Sequence, residues 1–169
     1  MGKLVEEVRE WNSPIIGAYL LWRFTQSYVH NHPTGDAPVV ILHCIANTLL
    51  TSPDFNYLIS DKRPNLASYV KGFSESQYKK SDVFACLSQR IRKQLSSAIQ
   101  AIDISTATGL LAWESESAKL FPLEEVKSLR GTATKGMAVQ AIGHKAEVLG
   151  KWFANLDILT ITSSLGVVL

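Results

Sequence analysis

Two consecutive segments that carry almost no charge constrain the fold of this chain most. The first, residues 15–30, contains a single charged residue, Arg23, and apolar side chains cover most of its helical circumference. The second, residues 39–50, contains no acidic or basic residue apart from His43. A helix that is apolar nearly all round is a buried one. The two segments therefore predict a helical hairpin inside a multi-helix domain, and Ser13-Pro14 suits the start of its first helix.

A third helix is predicted over residues 134–156. Its apolar residues recur at steps of three and four, which predicts one buried stripe, at Ala138, Ile142, Ala146, Leu149, Phe153 and Leu156. Gly136, Gly143 and Gly150 lie seven residues apart and share a face. Because each glycine costs a helix about 1 kcal/mol relative to alanine, a closely approaching backbone is expected there. That backbone is either another helix of this chain or another subunit.

The middle of the chain predicts short helices and one hairpin. Residues 54–60 and 66–73 are expected to form short helical pieces, and Ser81-Asp82 is expected to cap a helix over 83–102. The apolar stripe of that helix is Val83, Leu87, Ile91, Leu95, Ala98 and Ile102. A turn at 105–108 and apolar runs at 110–113 and 119–123 follow, which together outline a winged helix.

The length of 169 residues predicts a single, mainly α-helical domain with a winged-helix-like hairpin in its second half. Within residues 1–169, its parts are a buried helical hairpin (1–80), the winged-helix-like unit (81–123), and a C-terminal helix with an apolar tail (124–169). Shorter helical pieces are expected at 3–11 and 124–130. Cys44 and Cys86 are expected to be buried, reduced thiols. The charged first residues and the interrupted apolar runs predict a cytoplasmic protein without a membrane span.

Residues capable of chemistry occur, but in patterns that do not support catalysis. His30 and His32 point in different directions at a helix end, and His43 is expected to be a hydrogen-bonded core residue. Residues 131–136 have the outer glycines of a phosphate loop, but Met137 stands where that loop needs lysine. Glu125 and Lys127 match half of a nuclease motif and lack the second carboxylate that would share a metal. We therefore expect no catalytic residue, no cofactor and no metal.

Basic residues are concentrated between positions 62 and 93. The formal net charge is only +2, yet this stretch holds Lys62, Arg63, Lys71, Lys79, Lys80, Arg90, Arg92 and Lys93. Such a concentration suits a phosphate backbone or an acidic protein surface, and it is equally typical of an ordinary solvated face. The candidate partner- or DNA-binding residues are Arg90, Arg92, Lys93, Lys145, Lys151, Trp152 and Leu165. For Trp152, a place in the core is the alternative.

Several segments together resemble a known family. They are Asn12-Ser13-Pro14 before an apolar helix, GLLAW at 109–113 with AKLFPL at 118–123, KAEVLGKWFA at 145–154, and Leu165-Gly166-Val167. In these segments the chain resembles the middle component of bacterial three-component ABC systems, and most closely the small C subunit of Lamassu-type defence systems. It departs from the pattern at its tip, where Val168-Leu169 replaces the proline common after Leu-Gly-Val.

The resemblance implies a subunit that is not an enzyme. It would bridge an SMC- or Rad50-like ABC ATPase and a toxic effector, often a nuclease, in a complex directed against phages or plasmids. DNA contact through the complex is compatible with this role. The alternative is a DNA-binding regulator that uses the winged helix, and an independent enzyme is the third class.

Overall fold

A computed structural model of the chain describes residues 13–75, 80–123 and 137–168. The described elements, in chain order, are α1 (Pro14–Asn31), α2 (Val40–Thr51), α3 (Pro53–Asn56), α4 (Leu66–Glu75), α5 (Lys80–Ala85), α6 (Leu87–Ala107), β1 (Leu111–Glu114), β2 (Lys119–Pro122), α7 (Met137–Ala154) and α8 (Ile158–Leu165). The predicted mainly helical fold with one hairpin in its second half is confirmed. The helical pieces expected at 3–11 and 124–130 lie outside the described residues.

Helix α1 lies at the centre of the described fold. Pro14 occupies its first turn after Ser13, which has extended backbone angles and makes no side-chain cap. Leu20, Leu21 and Phe24 are fully buried, and α1 packs against α2, α6 and α7. Thr25 meets His43 of α2, while Gly17, two turns earlier, faces Asn47, so the two helices run antiparallel. The buried helical hairpin is therefore confirmed.

Helix α7 approaches α1 more closely than ordinary side chains would permit. A methyl group on Gly150 would lie 2.4 Å from the carbonyl oxygen of Phe24, and one on Gly143 would lie 2.7 Å from the hydroxyl of Tyr19. These two glycines therefore serve a contact within the chain, and their reading as a docking face for another subunit is wrong. Gly136 lies outside the described residues. The predicted stripe is buried at Ile142, Ala146, Leu149 and Phe153.

The helix expected at 83–102 is instead two helices, and the second is longer than expected. The chain turns at Cys86, between α5 and α6, so Asp82 lies inside α5 and not before the first residue of a helix. Cys86 is exposed at this turn, which corrects its expected burial, whereas Cys44 is buried. The turn expected at 105–108 is also wrong, because α6 continues to Ala107.

The hydroxyls near the end of α6 explain its extra turn. Ser105 and Thr106 both donate to the carbonyl oxygen of Ile102, at 2.8 and 3.1 Å, and Thr108 donates to that of Ile104 at 2.6 Å. These bonds reach back to the preceding turn of the helix instead of forming a competing turn. Gly109, with φ of +74°, then turns the chain toward β1.

The predicted hairpin is confirmed. Strands β1 and β2 pair antiparallel, from Leu111 opposite Pro122 to Glu114 opposite Lys119. The outer edge of β2 is tied to the segment before α2, since the amide of Leu120 donates to the Pro38 carbonyl at 3.2 Å. Leu111 and Leu120 point into the core, which fixes the hairpin on the helical body.

The C-terminal segment packs against the rest of the described fold. The carboxylate of Asp157 accepts from the amide of Thr160 at 2.8 Å and caps α8, and Gly166 ends the helix with φ of +64°. Ile161 and Leu165 are fully buried, and α8 contacts α4. Among the described helices, none has the length and apolar character needed to cross a membrane.

Alanine at Gly150 is expected to destabilise the chain, whereas alanine at Gly143 should be tolerated. At Gly150 the added methyl meets backbone atoms. The free energy of unfolding should therefore fall by about 2 kcal/mol or more, as for an overpacked core. At Gly143 it meets a tyrosine side chain that can swing, and the gain in helix propensity of about 1 kcal/mol offsets the contact. Urea unfolding of both variants measures the difference. Equal destabilisation would contradict the inferred backbone contact.

Candidate interaction surface

The structure does not bring the seven predicted partner-binding residues into one patch. Trp152 is only 4% exposed, with its ring 5.6 Å from that of Tyr69, and Leu165 is fully buried. Both belong to the core, which is the alternative that the sequence leaves open for Trp152. They are therefore removed from the proposed surface. Trp152 and Leu165 lie next to apolar residues of their own helices. The sequence alone does not show how far other parts of the chain cover such an apolar helix face.

Arg90 of α6 and Lys145 of α7 both bind to residues of α3, one from each side. A terminal nitrogen of Arg90 lies 2.7 Å from the carboxylate of Asp54, and its guanidinium lies 5.4 Å from the centre of the Phe55 ring. The ammonium of Lys145 donates to the carbonyl oxygen of Asn56 at 2.7 Å, and burial lowers the pKa of this lysine. These two cations hold the short helix α3 between α6 and α7.

Arg92, Lys93 and Lys151 are exposed, and none of them has an ion pair among residues 13–75, 80–123 and 137–168. The rest of the basic stretch is partly engaged: Arg63 donates to the carbonyl of Ser68 at 2.8 Å, and Lys71 faces Glu75. The side chains of Lys79 and Lys80 lie outside the described part. The partner-binding role of the three exposed cations stays a prediction.

The outer face of α6 carries apolar residues that the sequence misplaced. Leu95 is 41% exposed and Ile99 is 47% exposed, although the predicted stripe put Leu95 in the core. Gln94 takes the inward position, where its amide and carbonyl lie 3.4 Å from the hydroxyls of Ser52 and Thr51. The presence of Ile99 beside the predicted stripe is the sequence signal that could have revealed a second apolar face.

The tip of the hairpin is acidic. Glu114 and Glu116 are exposed there, and the ammonium of Lys119 is bound to both carboxylate oxygens of Asp36, at 2.7 and 2.9 Å. The hydrogen bond from Lys119 lowers the pKa of Asp36 below its usual value. Trp113 is 48% exposed next to this tip. The hairpin therefore presents carboxylates and one aromatic ring.

A chain of polar contacts, which sequence reasoning missed, crosses the exposed side of α7. His144 bonds to Asp61 through Nε2 and lies 3.3 Å from Glu147 through Nδ1, and Glu147 pairs with Arg23 of α1 at 2.6 Å. The bond to Asp61 raises the pKa of His144 above its ordinary value, with a smaller contribution from Glu147. The contacts fasten the loop between α3 and α4 to α7. The spacing of three between His144 and Glu147 is the signal available in the sequence.

Two other histidines that the sequence analysis singled out, His43 and His32, are hydrogen-bonded within the fold, whereas His30 is exposed. His43 is fully buried, with Nε2 2.8 Å from the Thr25 hydroxyl and Nδ1 3.1 Å from the Val39 carbonyl. Burial lowers its pKa to about 4, so the ring is neutral at neutral pH, and the prediction of a satisfied core histidine is confirmed. His32 stacks on Tyr28 and accepts from the backbone amide of Asp36 at 3.2 Å.

Within the described ranges, no group of three or more histidines, cysteines, aspartates or glutamates is arranged to hold a metal ion. The fold and its surface thus define a small, mainly helical domain in which the buried His43 is hydrogen-bonded to Thr25 and Val39. A sequence model of one family, the ABC-three component (ABC-3C) system middle component 3, matches residues 1–169, and the chain belongs to that family. Searches of the curated proteins and of the solved structures gave no match.

The contact between Asp61 and His144 should stabilise the fold in a pH-dependent way. Because the folded-state pKa of His144 is raised, the stabilisation is fully present below the unfolded-state value near 6.5 and is lost as pH rises through the raised value. Asp61→Asn should therefore lower the melting temperature most near pH 5.5 and least near pH 9.

Thermal unfolding across this pH range measures that difference. In a His144→Gln background, the same Asp61→Asn change should have a small effect that does not vary with pH. If the melting temperature of the wild type exceeded that of Asp61→Asn by a margin that grows as the pH is raised, the assigned contact would be contradicted.

Proposed function

We propose that this chain is the non-catalytic adaptor of an ABC-3C defence complex. It would hold an SMC- or Rad50-like ABC ATPase and a toxic effector, often a nuclease, in one cytoplasmic assembly directed against phages or plasmids. Membership of the middle-component family carries this proposal, since a middle component implies other components to contact. The narrower likeness to the small C subunit of Lamassu systems, which rests on KAEVLGKWFA at 145–154 and the closing Leu165-Gly166-Val167, supports the defence role.

The distribution of polar groups supports an adaptor. The histidine most suited to chemistry by its burial, His43, is neutral and held by Thr25 and Val39. Three described cations without ion pairs, Arg92, Lys93 and Lys151, lie on the outside of α6 and α7, where another protein can reach them. Exposed charges of this kind set the specificity and rate of association more than its strength.

The alternative of a winged-helix DNA-binding regulator has less support. A wing that tracks DNA meets phosphates, but Glu114 and Glu116 would repel them, and the nearby Lys119 is neutralised by Asp36. Arg92 and Lys93 lie near the start of α6, whereas the hairpin follows its end. A helix of 21 residues spans about 30 Å, so these cations and the wing do not form one DNA-binding face.

Co-purification from cells that express the ATPase, the effector and this chain tests the adaptor role. We expect the tagged chain to recover both partners, and we expect the ATPase and the effector to separate when this chain is omitted. A chain that elutes as a monomer in the presence of both partners would refute the proposal.

A gel-shift titration of the isolated chain with a 30-base-pair duplex at low salt separates the two functions. The adaptor role predicts no shift by the isolated chain. Duplex binding that weakens steeply with salt, and that is lost with Arg92→Glu, would favour the regulator.

A further inference from the structure

Helix α6 carries a second stripe on its solvent side. We name Arg92, Leu95, Ile99 and Asp103 the outer stripe. Its steps of three and four place all four residues on one side of the helix, and all four are exposed. Leu95 and Ile99 supply its apolar centre, with 41% and 47% of their surfaces exposed. Regularly spaced apolar residues between charges are typical of a helix that pairs with another helix.

Val168 extends this stripe. Val168 is 72% exposed, and its amide donates to the hydroxyl of Ser88 at 3.1 Å, one turn before Arg92. Ser88 and Leu95 are seven residues apart and therefore share a side of α6. The exposed apolar surface thus continues beyond the apolar pair at the centre of the stripe.

The charges of the outer stripe are self-complementary. Arg92 lies before the apolar pair and Asp103 lies after it, and neither has an ion pair among the described residues. At 1.5 Å per residue, each charge is about 8 Å from the midpoint of the stripe near residue 97. Successive residues rotate by about 100°, so Arg92 and Asp103 fall on the same flank of the apolar pair, within about 20° of each other.

A two-fold axis perpendicular to α6 at that midpoint matches every member of the stripe. It places a second α6 antiparallel to the first and brings each flank against the same flank of the other copy. Leu95 then meets Ile99 of the second copy, and Arg92 meets Asp103 of that copy, twice by symmetry. An isologous contact requires this self-complementarity. A parallel arrangement would instead leave Arg92 of one copy and Asp103 of the other about 16 Å apart along the helix axis, too far to pair.

We propose that two copies of this chain pair through the outer stripe, with their α6 helices antiparallel. Only two half-exposed apolar residues and two charges per copy form its centre, which is less surface than a permanent dimer buries. The pairing is therefore reversible, with a dissociation constant of roughly 10–100 µM for the isolated chain. It does not depend on the adaptor role, and it would give the complex two copies of its middle component.

Sedimentation equilibrium over 5–500 µM tests the pairing with charge-reversed variants. Arg92→Asp alone and Asp103→Arg alone should each weaken dimerisation by about tenfold or more, because each sets like charges together at two places. The chain that carries both changes should dimerise like the wild type, since the two charges have exchanged places. Lys93→Glu is the matched control: it removes a neighbouring exposed cation that lies off the stripe, and it should leave the dimer unchanged.

Cysteine cross-linking gives a second measurement in a Cys86→Ser background, because Cys86 is the exposed native thiol of the described chain. Leu95→Cys mixed with Ile99→Cys should yield the mixed disulfide in preference to either like pair. A wild-type chain that stays monomeric to 500 µM would overturn the proposal. So would a double variant, Arg92→Asp with Asp103→Arg, that does not regain wild-type dimerisation. A third result would also overturn the dimer. If the charge reversals abolish recovery of the ATPase or the effector but leave the oligomeric mass of the isolated chain unchanged, the outer stripe binds that partner instead.

Discussion

The close approach of α7 to α1 is the constraint on which the rest of the described fold depends. Gly150 lies against the carbonyl oxygen of Phe24, a distance that no other residue type allows without a shift of the backbone. With the two helices this near, Phe153 reaches the Phe24 ring edge-on at 5.7 Å, and Glu147 reaches Arg23. The central helix is thereby covered on one side by α7 and on the others by α2 and α6.

Those parts of the fold that follow from local pattern could be predicted from the sequence. The uncharged segments identified α1 and α2 as buried, and the polar turn between two apolar runs identified the hairpin. The break at Cys86 could not be predicted in this way, because the apolar stripe continues through it from Val83 to Leu87. The longer end of α6 was missed because serine and threonine hydroxyls can bond to nearby backbone groups either in a turn or within a helix.

The surface was harder to predict than the core because exposure and pairing are tertiary properties. Leu95 and Gln94 are neighbours on α6, and periodicity favours the leucine for the interior. The hydroxyls of Thr51 and Ser52, which lie far away in the sequence, make the inward position suitable for the glutamine instead. In the same way, the basic stretch does not reveal that Arg90 is held by Asp54 while Arg92, half a turn away, is not.

The burial of α7 has a consequence for where other chains can bind. Its glycine face packs on α1, Trp152 packs on Tyr69, and Lys145 bonds to Asn56, so these parts of α7 are not free to contact a partner. Helix α6 differs, since its inner face packs on α1 and α2 while its outer face stays exposed between opposite charges. A middle component must offer surfaces that do not compete with its own folding. In the described part of this chain, the outer face of α6 meets that condition over several turns, and on α7 the exposed Lys151 meets it at one position.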